Sequence, residues 1–139
     1  MAAKSRLKVI IDTNIWISFL IGKKLKSMKD LILNDKVLLI YSNQLLLEIK
    51  LVTKREKIAK YFDKRKVDEL IELLTVIGQI VEPTQEINIC RDPKDNFLLS
   101  LATKAEADFI VTSDEDLLVL INYLDTKIIN VKEFEKIVN

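Results

Sequence analysis

"LKVIIDTNIWIS", residues 7 to 18, is the stretch from which the fold can be read. Five mostly apolar residues run straight into Asp12, and apolar residues resume almost at once at Ile15 and Trp16. A continuous apolar run of this length marks a strand covered on both faces, as in a parallel sheet, rather than one with a wet side. Four more runs share the character: "VLLIY" at 37–41, "QIV" at 79–81, "DFIVT" at 108–112 and "KIINV" at 127–131. Helical patterns separate them. These are residues 43–53 after a Ser42 cap, residues 64–77 with Val67, Leu70, Ile71 and Leu74 on one stripe, and "DNFLLSLATKAEA" at 95–107. The alternation predicts one three-layer α/β/α domain over residues 1–139, with a central, mainly parallel sheet of about five strands. Ligands in such folds bind beyond the carboxyl ends of the strands.

Composition narrows the chemistry. The chain has 139 residues, 49% of them hydrophobic and 31% charged, which suits one globular domain with a real core. No apolar run approaches the roughly 20 residues of a membrane span, and the start lacks the order of a signal peptide, so a cytoplasmic protein is expected. The single cysteine, Cys90, cannot close an internal disulfide. There is no histidine, which excludes Ser-His and Cys-His nucleophilic pairs and His-ligated zinc. Two glycines, Gly22 and Gly78, are too few for a P-loop or a GxGxxG turn.

The net charge of +1 hides two opposite halves. Residues 1–66 hold 16 Lys and Arg against 6 Asp and Glu, whereas residues 67–139 hold 6 against 15. The basic excess is densest in "KLVTKREKIAKYFDKRK" at 50–66, with a second cluster, "KKLKSMK", at 23–29. A charge run is usually a solvated helix face; its functional reading is a phosphate-contact surface, with Lys50, Lys54, Arg55 and Lys57 as candidates.

The acidic residues fall at junctions. Asp12 follows the first strand, and Asp114 follows "DFIVT" with only Ser113 between. Asp95 is read as opening the helix at 95–107, with Pro93 breaking anything earlier. Each suits an N-cap, and Asp116 suits the first turn of a helix. Glu48 is different: it lies inside a helix at an angle flanked by Leu51 on one side and Val52 on the other, where a carboxylate is costly unless paired or metal-bound. Lys50 is as awkwardly placed, but its long stem lets the charge escape to water. Carboxylates converging from these positions cannot all stay ionised without cations. Oxygen-only ligation suits Mg²⁺ or Mn²⁺, and the chemistry that such a cluster serves is metal-assisted phosphoryl transfer.

The combination of "IIDTNIWIS", Glu48, "CRDPKDNFLLSLATKAEADFIVTSDEDLL" and "INVKEFEKI" resembles a PIN domain of the small prokaryotic kind that forms the toxin of toxin–antitoxin pairs. The resemblance spans essentially the whole chain. It implies a Mg²⁺- or Mn²⁺-dependent ribonuclease that hydrolyses RNA with one or two ions. Its four acidic positions fall on Asp12, Glu48, Asp95 and Asp114, with Asp116 as a fifth metal-site carboxylate. Asp95 is assigned over Asp92 because it is read as the helix start. Asn14 and Ser113 match positions that line the family's site, although the family more often has glycine where Ser113 stands. Lys50, Lys54, Arg55 and Lys57 become RNA-binding candidates. A homodimer is implied, as is an antitoxin whose tail blocks the acidic pocket. Trp16 and the apolar stripe at 15–20 are read as core or dimer interface rather than as RNA-stacking platforms.

Two rivals fit less well. An aspartyl-phosphate enzyme needs an acid two residues after its first Asp, where Asn14 stands, and a receiver domain needs an Asp that "VLLIYSN" does not supply. A catalytically inactive RNA- or protein-binding module on the same fold is the alternative, but a surface built only to hold polyanions would gain by losing the acidic quartet.

Overall fold

The computed structural model describes residues 6–57 and 59–139. The elements follow one another as β1 (Leu7–Ile11), α1 (Thr13–Ile21), α2 (Leu25–Ile32), β2 (Val37–Tyr41), α3 (Asn43–Thr53), a 3-10 turn (Ala59–Tyr61) and α4 (Lys64–Ile77). Then come β3 (Gln79–Ile80), α5 (Pro93–Ala105), β4 (Phe109–Val111), α6 (Glu115–Leu118), β5 (Asn122–Tyr123), β6 (Thr126–Ile129) and α7 (Val131–Val138). The sheet runs β3-β2-β1-β4-β6-β5. All pairings are parallel except β5 with β6.

The period of two along each strand sorts the core into two halves. Val9, Ile11, Leu39, Tyr41, Val111 and Ile129 point to one face, where Trp16, Met28, Ile49, Leu70 and Phe134 cover them. Ile10, Ile40, Ile110 and Ile128 point to the other, under Leu98, Leu99 and Leu101 of α5 and Leu117 of α6. The register Val9↔Phe109, Ile10↔Ile110, Ile11↔Val111 brings the ends of β1 and β4 level. Both continuous apolar strands are therefore buried on two sides, as their composition requires.

Among the described residues the sheet has six strands where about five are expected. The extra one, β5, is two residues long and forms a tight antiparallel hairpin with β6, too short for any periodicity to show. The third α/β helix also starts earlier, at Pro93 instead of Asp95. Proline at the first helical position loses no hydrogen bond and has the right φ, so Pro93 begins this helix rather than blocking it. Asp92 is the cap, its side chain accepting from the Lys94 N–H at 2.9 Å. Helices over 43–53 and 64–77 form as expected, the first with Ser42 Oγ accepting from the Leu45 N–H at 3.2 Å. At the end of α4 a side chain on Gly78 would lie 2.7 Å from both the Leu74 carbonyl and the Tyr41 ring, so only glycine lets the helix close against β2.

Candidate functional site

Asp12 is the first residue past β1, and its N–H donates to the Val111 carbonyl at the end of β4 at 2.9 Å. Its side chain is divided between two tasks. Oδ1 accepts from the Asn14 N–H at 3.3 Å and so caps α1, while Oδ2 accepts from Thr112 Oγ1 at 2.8 Å. The same Thr112 oxygen accepts from the Asp114 N–H at 3.0 Å, and Asp114 Oδ1 accepts from the Asp116 N–H at 2.9 Å, capping α6. One buried hydroxyl thus ties together the carboxyl ends of two neighbouring strands.

Asp95 enters from the first turn of α5 and is 3% exposed. Among the described residues its Oδ2 has no hydrogen-bond partner. Asp95, Asp114 and Asp116 each place a carboxylate oxygen within 4.8 Å of the other two. Burial, above all, pushes the Asp95 carboxyl up to about 7, helped by the close approach of the Asp114 carboxyl and the charges of Asp114, Asp92 and Asp12. Burial also raises the Asp12 carboxyl, and the Asp114 charge adds to it, while the bonds from Thr112 and Asn14 and the charge of Lys94 pull the other way. The Cys90 thiol is pushed up by burial and by the surrounding aspartates.

The expected residues are brought together unequally. Asp95, Asp114 and Asp116 form one group, and Asp12 is fastened to it through Thr112. Glu48 is half-buried on α3 and lies outside that group. Its charge is not costly there, because Leu51 beside it is 57% exposed and Glu48 and Val52 are only half-buried, so water reaches that side of α3. Asn14 and Ser113 are exposed at the helix starts next to Asp12 and Asp114. Lys50 and Lys54 flank a cavity of about 610 Å³ between α3 and α4, and Arg55 and Lys57 are exposed just beyond. Trp16 is 3% exposed, in the core.

Three contributors escape the sequence reading. Thr112 reads there as an ordinary strand residue. Arg91 places Nη2 at 2.9 and 3.0 Å from the two oxygens of Asp116. Asn96 holds the turn that carries Arg91: Oδ1 accepts from the Ile89 and Cys90 N–H groups, and Nδ2 donates to the Cys90 carbonyl at 2.9 Å. Its place one residue after Asp95 was the available signal.

An α/β sheet with aspartates gathered beyond the ends of its central parallel strands defines a recognised class, and the chain belongs to it: the PIN domain family model matches residues 8–116. Uncharacterized protein MJ1680 of Methanocaldococcus jannaschii is 32% identical, over 94% of this chain and 91% of that protein. Among solved structures, PAE2754 from Pyrobaculum aerophilum superposes with a TM-score of 0.63 at 14% identity, covering 95% of this chain and 89% of that one. The PIN domain endonuclease Utp24 gives 0.55 at 16% identity, over 89% and 84%. VapBC2 from Rickettsia felis, bound to a DNA fragment from its promoter, gives 0.55 at 16% identity, over 89% and 98%.

Proposed function

We propose that this chain is a Mg²⁺- or Mn²⁺-dependent endoribonuclease and the toxin of a toxin–antitoxin pair. The observation that carries the reading is the buried Asp95 oxygen left without a partner beside the carboxylates of Asp114 and Asp116. A buried carboxylate oxygen is stable only with a donor or a cation against it, and three oxygen ligands suit a hard divalent ion. Asp95, Asp114 and Asp116 would hold that ion, with Asp12 presented beside them by Thr112 and Glu48 contributing from α3. Bound there, a divalent ion supplies activation of the attacking water and charge stabilisation at phosphorus.

The protein's own groups do the rest. Thr112 and the α1 cap hold the two Asp12 oxygens in a fixed orientation, one bond to each. Asn14 and Ser113, exposed at its mouth, orient the phosphate or the water by hydrogen bonds. Lys94, close enough to lower the Asp12 carboxyl, offers a positive charge to the substrate. That Utp24 is a PIN domain endonuclease supports cleavage, and the likeness to VapBC2 supports an antitoxin partner. A homodimer completes the reading.

Purified protein with labelled single-stranded RNA tests it. Cleavage should require Mn²⁺ or Mg²⁺, stop with EDTA, and fall at least about 100-fold in Asp12→Asn and Asp95→Asn, as loss of a key electrostatic group does. Cleavage that survives EDTA, or survives in both variants, would remove the carboxylate mechanism.

A further inference from the structure

Two basic clusters that the sequence keeps apart, residues 23–29 and 50–66, meet on one face. Glu69 of α4 fastens them, accepting from Lys29 of α2 through one oxygen and from Lys66 through the other at 3.2 Å. Beside this clasp stands Tyr61, which is 54% exposed. Its ring borders a cavity of about 280 Å³ shared with Leu20, Lys23, Leu25, Lys26, Asp63 and Lys66. Asp63 is occupied in capping α4, its Oδ1 accepting from the Arg65 N–H at 2.9 Å. Lys60 Nζ lies 5.3 Å from the centre of the Tyr61 ring. On the other side of the same 3-10 turn, Phe62 and Val67 floor the larger cavity, about 610 Å³, whose rim carries Lys50, Lys54 and Lys64. Among the described residues Lys23, Lys26 and Lys60 form no ion pair.

An exposed ring set among unneutralised lysines answers both needs of one class of ligand. An unpaired nucleic-acid strand stacks its bases on aromatic faces while its phosphates take up ammonium groups. A duplex keeps its base faces inside and would use only the lysines. An acidic peptide would satisfy the charges but has no regular supply of flat rings for Tyr61. None of Asp95, Asp114 and Asp116 lines either cavity.

We propose that this face is a binding track for single-stranded RNA, with Tyr61 as its base-stacking platform and Lys23, Lys26 and Lys54 as phosphate contacts. The proposal deepens the ribonuclease reading, on which the identity of the ligand as RNA rests: the substrate is held as an unpaired strand by residues outside the carboxylate group.

Fluorescence anisotropy in EDTA measures binding without cutting, with labelled oligouridine and a duplex RNA of equal length as probes. The wild type should bind the single strand more tightly. Tyr61→Ala should weaken that binding about 10-fold, while Tyr61→Phe, which keeps the ring, should retain it. Lys23→Gln with Lys26→Gln should reduce the salt slope by about 1.4. Unchanged affinity in Tyr61→Ala, equal affinity for the duplex, or failure of Tyr61→Phe to bind would overturn the platform. So would binding of a glutamate-rich helical peptide that depends on Tyr61 when RNA binding does not. Metal-dependent cleavage read alongside separates the two proposals. If cutting persists while Tyr61→Ala binds normally, the track falls and the nuclease stands. If Tyr61-dependent binding occurs without cutting in any metal, the nuclease falls and the track stands.

Discussion

Asp95 pits ligand capacity against stability. Folded and without metal, its carboxyl keeps a proton up to about 7, whereas the unfolded chain releases it near the ordinary 3.8. Folding therefore takes up a proton between those values, and stability that is complete below 3.8 is lost as pH rises towards 7. An amide at this position cannot ionise and escapes that loss. Urea denaturation in EDTA should find Asp95→Asn more stable than wild type by on the order of 1 kcal/mol at about pH 8, with the difference gone near pH 4. A difference independent of pH would show that Asp95 titrates normally. Added Mn²⁺ should reverse the order at pH 8, since only wild type gains a ligand-bound native state.

At the scale of elements, the site is a junction between β1 and β4 closed by Thr112. Thr112→Val keeps the shape but leaves the Asp114 N–H and the buried Asp12 oxygen without their partner. Loss of about 1–3 kcal/mol in urea unfolding is expected, together with a fall in cleavage, and Thr112→Ser should restore both. If Thr112→Val unfolds like wild type, the hydroxyl is not what joins the two strands. The sequence made part of this junction readable. Asp12 and Asp114 were legible because a buried strand must end where its apolar run ends, and the next residue then faces the rim of the sheet. Asp95 was assigned through the wrong helix start, because Pro93 serves equally as a breaker and as a first helical residue and only the Asp92 cap decides between them. Arg91 was not legible, since its pairing with Asp116 depends on how a 25-residue separation closes in space. Tyr61 was hidden for the same reason: the lysines of α2 come beside it only once α2 packs near α4.

The whole molecule keeps its two charges apart, acidic at the strand ends and basic around the 3-10 turn, so that on the proposed reading one region would hold a polyanion while the other would collect cations. It also leaves Leu47 and Leu51, one turn apart on α3, 54% and 57% exposed, an apolar pair that a second copy would cover. Light scattering should return about twice the 16.1 kDa chain mass, and Leu47→Glu with Leu51→Glu should return the single mass; a wild-type monomer would remove the homodimer. The parallel pairing of β1 with β4 has a consequence in time. Asp12 and Thr112 are 100 residues apart along the chain, so closing that loop is a late, entropically costly event. A ribosome making this protein releases Asp12 early, yet Thr112 cannot meet it until just over four-fifths of the polypeptide exists. On the ribonuclease reading, a growing chain would therefore be harmless to the message being read, and the hazard would begin only with a nearly finished molecule.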